Sequence, residues 1–132
     1  MAEFRNDPSE SMVVRISLCP SADLRDGDLA VSFDVMYGGQ TCRAFAVRHE
    51  GEVHAYLNRC SHVAMELDLM PNRFFDVSGS LLVCSSHGAV YLPKDGSCVG
   101  GPCRGNLVKI DLSECDGVVH WHTAFNLRPM EF

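Results

Sequence analysis

The chain is a succession of short apolar-rich runs separated by glycine, proline and acidic turn residues. Met12–Leu18, Leu29–Met36, Thr41–Arg48 and Glu52–Leu57 are rich in residues that favour a pleated surface. Ser80–Cys84, Ala89–Leu92, Leu107–Asp111 and Gly117–His122 continue the series. All eight are predicted strands. Between them stand "PSADLRDGD", "YGGQ", "RHEGEV", "DVSGS", "PKDGSCVGGP" and "ECDGVV". The segment "HEGEVHAY" predicts a tight hairpin turn centred on Glu50-Gly51. The alternation in "DGVVHWH" puts Val118, His120 and His122 on one strand face and Val119 and Trp121 on the other. No segment repeats apolar residues at helical spacing, and there is no internal repeat, low-complexity tract or domain-sized linker. The expected class is a small all-β domain with many turns.

Composition narrows the partners more than the fold. A chain of 132 residues favours one domain, here residues 12–132 behind a loose polar arm at 1–11. It is long enough to bury a core without covalent staples. The net charge is −6 and the basic residues are scattered, which argues against nucleic acid or an anionic membrane as partner. A weakly acidic surface suits a basic patch on another protein. The start "MAEFRNDPSESMVV" has neither the charged opening nor the apolar run of a signal or anchor, so the expected location is the cytoplasm. Seven cysteines is a high and odd number there. In a reducing compartment such a count points to metal before disulfides.

The metal-binding candidates fall in two stretches. "NRCSHVAM" supplies Cys60 and His62, and "VCSSHGAVY" supplies Cys84 and His87, with 21 residues between the pairs. Each stretch offers one thiolate and one imidazole at the end of a predicted strand. A mononuclear zinc site is the simplest alternative, but zinc fingers usually pair like with like. Mixed pairs suit a binuclear centre in which each loop gives a cysteine to one iron and a histidine to the other.

On "CSH" at 60–62, "CSSHGAVY" at 84–91, the turn "KDGSC" and the loop "GGPC" at 100–103, the chain resembles the Rieske [2Fe–2S] proteins, and within them the standalone bacterial Rieske-type ferredoxins. The resemblance runs from about Met12 to His122, with "LMPNRFFDVSG" as a lengthened segment between the ligand pairs. It implies a small cluster-binding subdomain, about residues 59–104, inserted in a larger antiparallel β base. It also implies a [2Fe–2S] cluster on Cys60, His62, Cys84 and His87, with the histidines at the tip as the electron path. Two thiolates cancel the charge of the oxidised core, whereas four would leave it doubly negative. Neutral histidines thus raise the potential to about −150 to +300 mV, against about −400 mV for all-cysteine plant-type centres.

Three departures from the family pattern bear on that potential. Met65 and Ser86 stand where many high-potential relatives carry a disulfide between the cluster loops, so that bridge cannot form. Ala89 stands where those relatives place a serine that donates to a bridging sulfide, and Tyr91 matches a tyrosine that can donate to a ligand sulfur. Fewer donors stabilise the reduced cluster less, so the expected potential lies in the lower half of the range.

The implied function is a one-electron carrier between a reductase and an oxygenase or similar terminal enzyme, without turnover of its own. A redox-sensing or regulatory subunit would use the same cluster. Cys98 and Cys103, around "VGGP", read first as small loop residues and second as a redox-sensitive pair near the cluster. Cys19, Cys42 and Cys115 read as small packed hydrophobes, His49 and His54 as surface residues beside a turn, and Glu66 and Asp68 as a solvated loop.

Overall fold

The computed structural model describes residues 14–59, 73–76, 78–84, 88–101, 105–124 and 126–129. Eleven strands account for nearly all of the regular structure among them: β1 (Arg15–Pro20), β2 (Val31–Tyr37), β3 (Gln40–His49), β4 (Glu52–Leu57), β5 (Leu82–Val83), β6 (Val90–Tyr91), β7 (Cys98–Gly100), β8 (Lys109–Ile110), β9 (Leu112–Cys115), β10 (Val118–His122) and β11 (Leu127–Pro129). A 3-10 turn, Ser21–Asp23, follows β1. The all-β expectation holds, and each of the eight predicted strands has a counterpart within a few residues. The polar arm, the first ligand stretch, Glu66 and Asp68 lie outside the described residues.

The strands form three antiparallel sheets, ordered β1-β10-β9, β11-β2-β3-β4-β8 and β5-β6-β7. The five-stranded sheet is the centre of the molecule because both of its faces are covered. Ala44, Ala46, Ala55 and Leu57 share a core with Val119 and Trp121 of the first sheet. On the opposite face Phe45, Val47 and Tyr56 share a second core with Phe74, Leu82, Cys84, Ala89 and Tyr91. Two-sided burial is why residues 44–47 of β3 and 54–57 of β4 are buried without alternation. The hairpin between these strands turns at Glu50 and Gly51, both with positive φ (52° and 82°), as its sequence predicted.

The third sheet lies wholly between β4 and β8 in the chain, so the expected insert on a β base is present. Three strands escape the sequence pattern: β7 is three residues ending in glycine, β9 is half polar and β11 ends in proline. Each is short and lies at a sheet edge, where the partner strand rather than the strand's own residues decides pairing.

Arg48 ties the base together. Its guanidinium pairs with Glu114 of β9 through Nη2 (2.5 Å) and Nη1 (3.3 Å). It also donates to the carbonyls of Leu24 (2.7 Å), Gly51 (3.0 Å) and Ser21 (3.3 Å). The charge-assisted bond from Arg48 is the main reason the Glu114 carboxyl lies below its ordinary pKa.

Candidate metal centre

Cys84 is the one predicted ligand among the described residues. Cys60, His62 and His87 lie outside them. Cys84 follows β5, whose Val83 amide donates to Phe74 O (2.9 Å), and this anchors the start of the loop. The Cys84 amide donates to Ala89 O (2.8 Å), and its carbonyl accepts from the Gly88 amide (2.9 Å). Those two bonds close the loop at 84–89 from both ends. The Cys84 side chain is fully buried in the core with Leu82, Ala89 and Tyr91, and it is not in a disulfide.

A buried thiol at the base of a loop pinned by its own backbone is the kind of donor that one arm of a two-loop iron–sulfur site requires. The described residues therefore fit the group. No three His, Cys, Asp or Glu side chains among them converge on a second metal position. The "HWH" face is as predicted: Val119 and Trp121 are buried, while His122 Nε2 is 2.9 Å from Ser113 Oγ.

Contacts on two sides hold the insert that carries Cys84 to its surroundings. From the base, the Tyr56 hydroxyl donates to Pro93 O (2.5 Å) in the core. Burial pushes the Tyr56 phenol well above its ordinary pKa, so it stays a donor. A Cβ on Gly96 would stand 2.7 Å from the ring edge of the same tyrosine, and Gly96 has φ +74°. On the other side, β7 pairs with β6, Cys98 opposite Tyr91 and Gly100 opposite Val90. Gly101 then lies so close to the ligand loop that a Cβ there would be 2.5 Å from Gly88 O and 2.8 Å from Ala89 Cα. Gly101 of "VGGP" is needed because backbone meets backbone there.

Several sequence readings need correction. Cys98 is disulfide-bonded, not simply a small loop residue. His54 is buried, only 8% exposed, because β4 is covered on both faces. His49 is partly buried, its ring stacking 6.2 Å from that of Phe75. Cys115 is exposed rather than packed, and Cys42 is half-buried. Within "LMPNRFFDVSG", a lengthened segment with no role assigned to it from sequence, Phe74 is 1% exposed and its ring stacks 3.8 Å from that of Phe45. Two adjacent aromatic residues were the available signal for that packing.

The chain belongs to the Rieske [2Fe–2S] domain family, whose model matches residues 14–112. The family's cofactor is the [2Fe–2S] cluster that its description names. Among solved structures, the ferredoxin of carbazole 1,9a-dioxygenase from Nocardioides aromaticivorans IC177 is similar, with TM-score 0.65 and 19% identity over 89% of this chain and 99% of that chain. A ferredoxin of Sphingomonas yanoikuyae B1 gives TM-score 0.60 and 22% identity over 80% of this chain and 95% of that chain. A chain from the complex of reduced oxygenase and oxidized ferredoxin in carbazole 1,9a-dioxygenase gives TM-score 0.61 and 19% identity, covering 80% of this chain and 99% of that one. At these identities the likeness is one of fold. No curated protein sequence matches the chain.

Proposed function

We propose that this protein is a Rieske-type ferredoxin, a one-electron carrier that takes electrons from a reductase and passes them to a terminal oxygenase. The carrying observation is the pinned loop at 84–89 with its buried, reduced Cys84, within a fold that aligns along 99% of a ferredoxin of an oxygenase system. The cluster would be held by Cys60 and Cys84 on one iron and by His62 and His87 on the other. When bound it supplies a site that accepts and releases one electron with little change in geometry. The chain's own residues hold that site still. Backbone bonds fix Cys84, the core behind it excludes water, and Tyr56 locks the insert to the base. Among the described residues no helix is long and apolar enough to cross a membrane. We place the protein in the cytoplasm, because Cys19, Cys42, Cys84 and Cys115 are all outside disulfides, as a reducing compartment keeps them.

The test is electron paramagnetic resonance of the dithionite-reduced protein, followed by turnover with candidate partners. A signal with average g clearly below the free-electron value is expected, with stimulation of an oxygenase when a reductase is present. A colourless protein with one zinc per chain would refute the reading.

A further inference from the structure

We propose that His54 is a proton-sensitive residue at the joint between base and insert, so that acidification frees the insert that carries Cys84 while the base stays folded. Alternation along β4 sets its place. Ala55 and Leu57 enter the core shared with the first sheet, whereas Tyr56 enters the core that contains Cys84. His54, two residues before Tyr56, lies on the Tyr56 face of the strand. Its cross-strand partner Val47 belongs to the same core as Tyr56. That face is the one the insert covers. Tyr56 reaches the insert through Pro93 O and Gly96, and His49, two residues beyond Val47 on β3, stacks on Phe75.

Nε2 of His54 is enclosed and has no hydrogen-bond partner. A neutral imidazole can stand there, but an imidazolium cannot stand at the same cost, because a buried cation needs an acceptor. The charged groups around it leave that need unmet. Glu52 on β4 and Asp95 in the insert favour the proton, while Lys109 of β8 and His49 oppose it. Asp95 is committed to its own turn, accepting from the Ser97 amide (2.9 Å) and hydroxyl (2.7 Å), with Lys94 beside it. Asp111 and Glu114 line a groove with His54 and Lys109, and Glu114 is held by Arg48. Burial is the largest effect, so the closed joint binds the proton less well than an ordinary imidazole of pKa 6.5. When the insert lifts, the ring meets water and regains its ordinary affinity. The open form therefore gains as the pH falls below about 6.5, until the closed joint is protonated too. The first sheet packs on the opposite face of the central one and does not share this joint.

Hydrogen–deuterium exchange of the iron-loaded protein, read by peptide mass at about pH 7.5 and about pH 5.5 and corrected for intrinsic rates, tests this. Protection over residues 88–98 should fall several-fold on acidification. About tenfold is the ceiling that one proton and an ordinary pKa of 6.5 allow. Peptides over residues 110–122 should keep their protection. His54→Phe, which takes up no proton, should abolish the difference. Lys109→Gln, at an exposed position, should shrink it, because losing a neighbouring cation raises the proton affinity of the closed joint. That variant serves even if His54→Phe does not fold. An equal fall over 110–122 would overturn the joint, since the whole fold would then be opening. A fall that persists in His54→Phe, or is unchanged in Lys109→Gln, would overturn His54 as the sensor. No fall in the wild type would overturn the proposal outright. Neither the residue nor the readout involves the proposed cluster ligands, so these outcomes are independent of that ligand set.

Discussion

Cys84 and His54 are both buried, and for opposite chemical reasons. In the ligand set proposed above Cys84 is a donor at the root of a pinned loop, so Cys84→Ser should abolish bound iron and labile sulfide, whereas Cys115→Ser at an exposed site should retain both. Metal analysis and visible absorption of the purified variants check this. His54 is buried as an imidazole whose Nε2 has no hydrogen-bond partner. Burial is the chief cause that lowers its pKa from the ordinary 6.5, and Lys109 and His49 act in the same direction against Glu52 and Asp95. The unfolded chain therefore binds a proton before the folded one does. Stability is complete above about pH 6.5 and falls as the pH drops from there towards the folded pKa. His54→Leu should flatten that decline, seen as a smaller loss of thermal midpoint on acidification. The sequence made Cys84 legible because metal chemistry demands particular residue types at particular spacing. It hid His54, because nothing local says that a second sheet lies over β4.

Among elements, the joint between base and insert is made by few residues. Tyr56 reaches from β4 to Pro93, and Gly96 fits beneath its ring. Gly96→Ala adds a Cβ at 2.7 Å from that ring and places it on a residue at φ +74°. The expected loss is about 1–3 kcal/mol, read as a lower denaturant midpoint at unchanged slope. Tyr56→Phe should lose about 1–2 kcal/mol, because the Pro93 carbonyl stays buried without its donor. The hairpin at Glu50-Gly51 was legible because two successive residues at positive φ suit few sequences. Strands β7, β9 and β11 were not, because short edge strands draw their stability from a neighbour distant in sequence.

At the scale of the molecule, one arginine couples the first sheet to the central one. Arg48→Met should destabilise the fold by about 1–3 kcal/mol, since it leaves the Leu24 and Ser21 carbonyls without their donor, and Glu114→Gln by about 0.5–1 kcal/mol, since the ion pair is partly exposed. Their effects should not add in a double-mutant cycle, because the second substitution removes an interaction already lost. Electron transfer also belongs to this scale. With Ala89 in place of a hydroxyl donor, a redox titration of the iron-loaded protein should give a potential in the lower half of about −150 to +300 mV. A value near the top would refute that expectation.

The sequence by itself determined the chemistry: the strand-and-turn rhythm set an all-β chain, and paired Cys and His residues pointed to the Rieske family and its cluster. Those features are local, carried by side-chain type, spacing and backbone conformation within a few residues. Tertiary structure alone decided that β3 and β4 would be buried on both faces, that Phe74 would stack on Phe45, and that Cys98 would enter a disulfide. Each depends on groups that are not sequence neighbours being brought within contact distance, and only the folded chain supplies that proximity.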